Sequence, residues 1–121
     1  MITENYVSFE VAKLLKEKGF NEGCSNTYNI YNGFMSYSNY NIKSFDIWCP
    51  TLQMTMKWLR ELFNIHISLT PTFTEDAPYW YNASIYQVEA HRFRNKHFRE
   101  HFNTYEQACE FAITYCLINW L

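Results

Sequence analysis

Hydrophobic and polar residues alternate along residues 65–73, which is the pattern of a strand with one buried face and one solvent-exposed face. A second stretch, at residues 79–88, is rich in aromatic and β-branched residues, and the turn-forming residues 74–78 separate the two. This pattern predicts an antiparallel hairpin. The segment that follows, residues 91–101, breaks every period and is expected to be irregular.

Another hairpin is predicted nearer the start of the chain. Asn32-Gly33 lies between two stretches of β-forming residues, 27–31 and 34–37. Asn-Gly is the strongest short hairpin signal because both residues tolerate a positive φ. A short strand is also predicted at residues 45–48.

Three segments carry apolar residues at the i, i+3, i+4 spacing of a helix with one buried face. The first lies between Ser8, a good N-cap, and Gly19, which can take the left-handed conformation behind a helix. The second is expected to start near Cys49-Pro50-Thr51 and to run to Phe63, and a proline in its first turn suits a helix start. The third covers residues 104–120 and begins with the capping-box pattern Thr-x-x-Gln.

The element order α-β-β-α-β-β-α predicts an α+β fold, with an antiparallel sheet of about four strands and helices mainly on one face. No linker or internal repeat interrupts the 121 residues, so residues 1–121 are expected to form a single domain.

Composition narrows the class of protein. Hydrophobic residues make up 48% and charged residues 18%, a balance that excludes intrinsic disorder. Aromatic residues reach 20%, more than a core of this size needs. The net charge of −2 argues against a protein that covers nucleic acid or a membrane surface through overall positive charge. With no signal sequence, no long apolar run and four cysteines expected to be reduced, the protein is predicted to be cytoplasmic.

Motifs of catalysis and cofactor binding are missing from the sequence. It has no G-x-S-x-G, H-E-x-x-H, Walker or G-x-G-x-x-G motif, and three glycines can hardly supply the glycine-rich ones. His97 and His101 have a spacing that can hold a metal on a helix, but no further ligand stands at a familiar offset. We therefore expect no enzyme, no cofactor and no metal.

Residues 91–101 hold four of the ten basic residues, interleaved with two phenylalanines. Guanidinium groups bind phosphate oxygens and aromatic rings stack on bases, so this mixture suits a phosphorylated ligand. A solvated loop or a charge-protected edge strand is the alternative interpretation. The phosphate-binding candidates are Arg92, Arg94 and Arg99.

Stacking candidates come from the predicted hairpin and from the second helix. If Ala83 and Ile85 point inward, Trp80 and Tyr86 lie on the wet face beside the polar residues of the first strand. The two rings either bind a ligand, cover the sheet edge or meet another subunit. The second helix adds Trp58 and Arg60, although Trp58 can equally belong to the core and Arg60 can pair with a neighbouring glutamate.

Three segments, VSFEVAKLLKEKGF, PTLQMTMKWLRELFNIHI and NTYEQACEFAITYCLINWL, resemble a group of small uncharacterised proteins that recur in gut Bacteroides genomes and their phages. The likeness covers about 50 of the 121 residues and implies no site residue. A phage origin implies a class of small non-enzymatic proteins that neutralise host defences by sequestering signalling nucleotides, which is an analogy of class rather than of motif.

We therefore expect a non-enzymatic, anti-defence type of protein that sequesters a small phosphorylated ligand such as a signalling nucleotide. The alternative is a protein-interaction module that inhibits a host protein, because Tyr, Trp and Arg dominate interface hot spots. Nucleic acid is not expected as a partner, since at most about four phosphates would be neutralised. A membrane is not expected either, since the chain has no long apolar run. A homo-oligomer is left open.

Overall fold

The computed structural model describes residues 2–75 and 77–121, which form three helices and six strands. In chain order these are α1 (Phe9–Glu17), β1 (Asn26–Asn29), β2 (Met35–Tyr37), β3 (Asp46–Trp48), α2 (Leu52–Phe63), β4 (Ile65–Thr74), β5 (Ala77–Glu89), β6 (Arg92–His97) and α3 (Tyr105–Asn119). The strands form two antiparallel sheets, a small sheet in the order β2-β1-β3 and a large sheet in the order β4-β5-β6. The predicted α+β class is confirmed, with six strands in two sheets instead of about four in one.

α1 begins and ends at the predicted signals. The side chain of Ser8 caps its first turn. At the other end the N–H of Phe20 donates to the carbonyl oxygen of Leu15 (2.9 Å), and the N–H of Gly19 donates to that of Lys16 (3.1 Å). This pair of bonds is a Schellman motif, and it needs a residue at φ +92°, which Gly19 adopts without a Cβ clash.

α2 and α3 are also capped by their own sequence. The Thr51 hydroxyl oxygen accepts a hydrogen bond from the Met54 N–H, and that of Thr104 accepts one from the Gln107 N–H, both at 3.1 Å. Asn64 ends α2 in the left-handed conformation, at φ +53°. None of the described helices is long and apolar enough to cross a membrane.

The first predicted hairpin is confirmed as β1 and β2, but its turn is longer than two residues. The strands are joined by residues 30–34, with Gly33 at φ +72°. The Asn29 side-chain oxygen accepts hydrogen bonds from the N–H groups of Tyr31 and Asn32, and this closes the turn. The predicted short strand at 45–48 is confirmed as β3.

The second predicted hairpin is confirmed as β4 and β5, and a third strand joins it. Residues 91–101 were expected to be irregular, with an edge strand as one alternative, and that alternative is confirmed: Arg92–His97 pair with Ser84–Glu89 of β5 as the edge strand β6. Every residue of β6 is exposed. The strand therefore shows no alternation of buried and exposed residues, and sequence periodicity missed it.

The main core lies between the helices and one face of the large sheet. α2 and α3 pack against β4 and β5, and α1 packs against α3 and the small sheet. Leu59, Ile65, Ile85, Ile113 and Leu117 are among the side chains that this packing buries completely. The helices thus lie on one face of the large sheet, as predicted, and its other face carries exposed or half-buried side chains.

Candidate functional site

The side chains of the large sheet alternate between an inner face, against the helices, and an outer face, away from them. We use "outer face" for twelve outward residues: His66, Ser68, Thr70, Thr72, Trp80, Asn82, Ser84, Tyr86, Val88, Phe93, Asn95 and His97. Ala83 and Ile85 are buried on the inner face, so the predicted wet side of the hairpin is confirmed.

One end of the outer face is formed by Trp80 and a histidine from beyond β6. A bridge between Tyr81 and Phe102 brings His101 to this end. The rings of Trp80 and His101 lie 4.4 Å apart between centroids, and His101 Nδ1 is 3.4 Å from Asn82 Oδ1. The indole Nε1 of Trp80 is buried and has no hydrogen-bond partner among the described residues. It is therefore an unused donor beside the ring pair.

The other end is formed by Tyr86 with rings from β6. The ring centroid of Tyr86 lies 6.4 Å from that of Phe93 and 5.6 Å from that of His97. His97 Nδ1 is 2.8 Å from the Ser84 hydroxyl oxygen, which fixes the imidazole toward the middle of the face. His66 lies directly opposite Tyr86 in the neighbouring strand.

Small polar side chains separate the two ring-bearing ends. Trp80 and Tyr86 are six residues apart on one strand, which corresponds to about 20 Å along the sheet. Between them lie Ser68, Thr70, Asn82 and Ser84. The outer face is therefore a polar track with aromatic rings at both ends.

The outer face differs from the chain as a whole in its charge. The chain has 12 acidic residues, and none of the twelve outer-face residues is one of them. Three of the four histidines, His66, His97 and His101, lie on or beside this face. A surface without carboxylates and with imidazole, hydroxyl and amide groups presents little repulsion to an anion.

Two of the predicted phosphate-binding residues point away from the outer face. Arg92 and Arg94 alternate with its residues along β6, so they lie on the inner side of the strand. Arg94 Nε donates to Gln87 Oε1 (2.5 Å), and Arg94 Nη2 donates to the Trp120 carbonyl oxygen (3.1 Å). Its guanidinium also lies 4.2 Å from the Trp120 ring centroid. Arg94 therefore fastens β6 to the end of α3.

The remaining arginines are spread over the surface. Arg92 is exposed and lies 3.9 Å from Glu89. Arg99 is exposed in the segment between β6 and the bridge at Phe102, two residues before His101. Arg60 is exposed on α2, which packs on the opposite side of the large sheet. The four predicted arginines thus do not converge on one point.

Trp58 is a core residue. Its ring makes edge-to-face contacts with Phe20 and Phe63, at centroid distances of 5.3 and 5.1 Å. Of the seven residues predicted to bind a ligand, the structure brings only Trp80 and Tyr86 onto the outer face. Trp58, Arg60, Arg92 and Arg94 lie elsewhere, because the helix or strand turns their side chains away from it.

Three residues of the site were not among the predicted ones: Phe93, His97 and His101. A signal for the first two exists, since Phe93, Asn95 and His97 alternate with three basic residues along β6. That period-two pattern has no buried hydrophobic face, so it does not by itself distinguish an edge strand from a solvated loop. His101 reaches the site only through the bridge at Phe102, which no local pattern reveals.

The four cysteines are buried and form no disulfide, and they lack the properties of reactive thiols. Burial raises the pKa of Cys24, Cys109 and Cys116 to about 12 and that of Cys49 to about 11. At neutral pH these groups are therefore thiols, which are poor nucleophiles and poor metal ligands. Over residues 2–75 and 77–121, no group of three His, Cys, Asp or Glu side chains could hold a metal ion.

No known protein family, curated protein or solved structure matches this chain. The resemblance to small proteins of gut Bacteroides and their phages therefore stays an expectation. The outer face is the candidate site on the strength of its own geometry, with rings at both ends and no carboxylate between them.

Proposed function

We propose that this protein is a non-enzymatic binding protein that holds a small phosphorylated ligand with a planar ring, such as a nucleotide, on the outer face. The observation that carries the proposal is the pair of ring clusters, around Trp80 and around Tyr86, on a face without carboxylates. Aromatic side chains stack on any base, and a phosphate needs donors without nearby negative charge.

The ligand's ring stacks on one ring cluster and its phosphate lies on the polar track. Ser84, His97 and Asn82 supply hydroxyl, imidazole and amide groups there. Arg99, two residues before His101 in the chain, is the arginine that we assign to contact with the phosphate. Arg92 and Arg94 have no part in this binding mode.

The energies are sufficient for useful affinity. One stacked ring at about 1–3 kcal/mol and two charge-assisted hydrogen bonds at about 1.5–3 kcal/mol each total roughly 4–9 kcal/mol. A micromolar dissociation constant corresponds to about 8 kcal/mol and a millimolar one to about 4 kcal/mol. Ordering of the ligand and side chains lowers the total, so we expect a dissociation constant between these two values.

Sequestration is the proposed mode of action, in the class of anti-defence proteins that the resemblance suggests. Two features support binding of the ligand without its chemical conversion. The thiols are protonated at neutral pH because burial raises the pKa of each of them, and all four lie buried, out of reach of a ligand on the outer face.

Calorimetric titration with ADP-ribose, which carries an adenine ring and two phosphates, tests the proposal. We expect a dissociation constant below about 1 mM for the wild type and a 5- to 100-fold weaker affinity for whichever of Tyr86→Ala and Trp80→Ala removes the ring on which the adenine stacks, since that variant loses a stacking platform worth about 1–3 kcal/mol. Arg92→Ala is the matched control, because Arg92 is exposed on the inner side of β6 and should bind like the wild type.

Two results would contradict this assignment. One is wild-type affinity in both ring variants, which would place the ligand elsewhere. The other is a loss of binding in Arg92→Ala with the ring variants unaffected, which would assign binding to the inner side of β6.

Recognition of a protein by the same face is the second candidate function. It is favoured by the exposure of Phe93 and Val88, which lie side by side at the end of β5 and β6. Aromatic residues of this kind anchor protein interfaces. A pull-down that returns one stoichiometric protein, lost in Phe93→Ala, would support this function over ligand binding.

A further inference from the structure

The strand β2 is an edge of the small sheet that lacks the usual protection against pairing. Natural edge strands carry charges or prolines that keep other strands away. Residues 23–42, which include β2, contain no Asp, Glu, Lys, Arg, His or Pro. In a chain with 18% charged residues, this uncharged stretch covers the whole hairpin.

The hydrogen-bond pattern leaves a specific set of groups at that edge. The Asn29 N–H donates to the Phe34 carbonyl oxygen, and the Ser38 N–H donates to that of Ser25. Bonded residues alternate along an antiparallel ladder, so Ser36 also faces β1. The N–H and C=O groups of Met35 and Tyr37 therefore point away from β1, toward the open edge.

An apolar surface continues onto β2 without a cover. Tyr28 in β1 and Ile47 in β3 are buried on the face of the small sheet that meets the core. Met35 and Tyr37 lie on the same face by register, yet they are 44% and 71% exposed. The hydrophobic core therefore ends before β2, whereas the apolar surface continues onto it.

Exposed aromatic rings lie in β2 and in the segments before and after it in the chain, on both faces of the hairpin. Tyr31, Phe34 and Tyr40 are each more than 60% exposed, as is Tyr37. Aromatic side chains have about 150–250 Å² each, so these four rings offer about 400–700 Å². A standard interface buries about 800 Å² on each partner.

We propose that the partner of this edge is a second copy of the chain, paired antiparallel through β2 about a two-fold axis at Ser36. Met35 of each copy then lies opposite Tyr37 of the other, and both are residues whose backbone groups point outward. The pairing is self-complementary, forms four backbone hydrogen bonds and joins two small sheets into one of six strands. Because the stretch is uncharged, the two copies meet without repulsion.

Sedimentation equilibrium of the purified protein at about 50 μM tests this inference. The expected wild-type mass is twice the monomer mass of 14.7 kDa. Tyr37→Lys places a charge beside the pairing edge, and Met35→Pro removes an N–H that points away from β1, so the hairpin itself is kept. Both variants should be monomers, whereas the control Leu62→Lys, at an exposed apolar position of α2, should remain a dimer.

A wild-type monomer at this concentration would overturn the proposal, and so would a trimer or larger assembly. Dimers that persist in both Met35→Pro and Tyr37→Lys would also overturn it, since the contact would then lie elsewhere. Circular dichroism of each variant establishes that a loss of the dimer is not a loss of the fold. The ring variants of the outer face should keep the wild-type mass, which separates this inference from the proposed ligand binding.

Discussion

Arg94 stabilises the junction of β6 and α3 through three contacts of one side chain. Its guanidinium donates to Gln87 and to the carbonyl oxygen of Trp120, and it lies over the Trp120 ring. Gln87 is itself buried and donates to the Phe63 carbonyl oxygen. The contacts link the end of α2, the large sheet and the end of α3, so Arg94 acts as a structural residue.

Replacing Arg94 by alanine should lower the free energy of unfolding by about 1–2 kcal/mol, since it removes two charged hydrogen bonds and a cation–π contact at a partly exposed site. Arg92→Ala, two residues away, removes only an exposed ion pair and should change it by less than about 0.5 kcal/mol. Urea unfolding at pH 7 measures both. Equal losses in the two variants would show that the Arg94 contacts contribute nothing.

The helix α3 carries two of the four thiols on its buried side. Cys109 and Cys116 lie two turns apart, and both are completely buried in the core. Burial raises the pKa of each thiol from its ordinary value of 9.0 to about 12. Loss of a proton from either thiol therefore favours separation of α3 from the core.

The free energy of unfolding should fall as the pH rises above 9. The unfolded chain then loses the thiol protons and the folded chain keeps them, so the stabilisation is complete below pH 9 and is lost toward pH 12. Each buried thiol contributes up to about 1.4 kcal/mol per pH unit in that range. Urea unfolding at pH 8, 9 and 10 measures the slope.

The double variant Cys109→Ala, Cys116→Ala is the control for this slope. It keeps every lysine and tyrosine that also titrates at high pH, and it lacks both thiols of α3. Its stability should fall less steeply than that of the wild type between pH 9 and 10. Parallel curves for the two proteins would mean that these thiols do not carry the effect.

Some helices and strands can be predicted from the sequence and others cannot. The difference lies in whether an element depends on interactions between neighbouring residues or on pairing with residues far away in the chain. Caps such as Ser8 and Gly19 act within one helical turn, and the alternation of hydrophobic and polar residues in β4 shows which of its faces is buried. Both were therefore predictable. β6 pairs at the edge with every side chain exposed, so its alternation of basic and other residues lacks the buried hydrophobic face by which a strand is recognised. The division into two sheets depends on long-range strand pairing, which no local signal encodes.

The candidate site was predictable only in part, for the same reason. Trp80 and Tyr86 were placed correctly because they share a strand whose alternation is visible. Trp58 has the same residue type as Trp80, and only its contacts with Phe20 and Phe63 show that it belongs to the core. The facing direction of Arg94 depends on the register of β6, which was not predicted as a strand.

At the scale of the whole molecule, two surfaces carry the proposals, and they belong to different sheets. The outer face of β4, β5 and β6 presents rings, imidazoles and small polar groups without a carboxylate. The open edge of the small sheet presents an uncharged apolar strand. Because the two rest on separate residues, ligand binding and dimer formation can fail independently.

Amide chemical-shift mapping of the ¹⁵N-labelled protein during titration with ADP-ribose tests the central claim most directly. We predict that the largest shifts occur at Asn82, Ser84, Tyr86 and His97, with little change at the inner-side control Arg92. Shifts confined to the small sheet, or no shift at millimolar ADP-ribose, would contradict binding on the outer face.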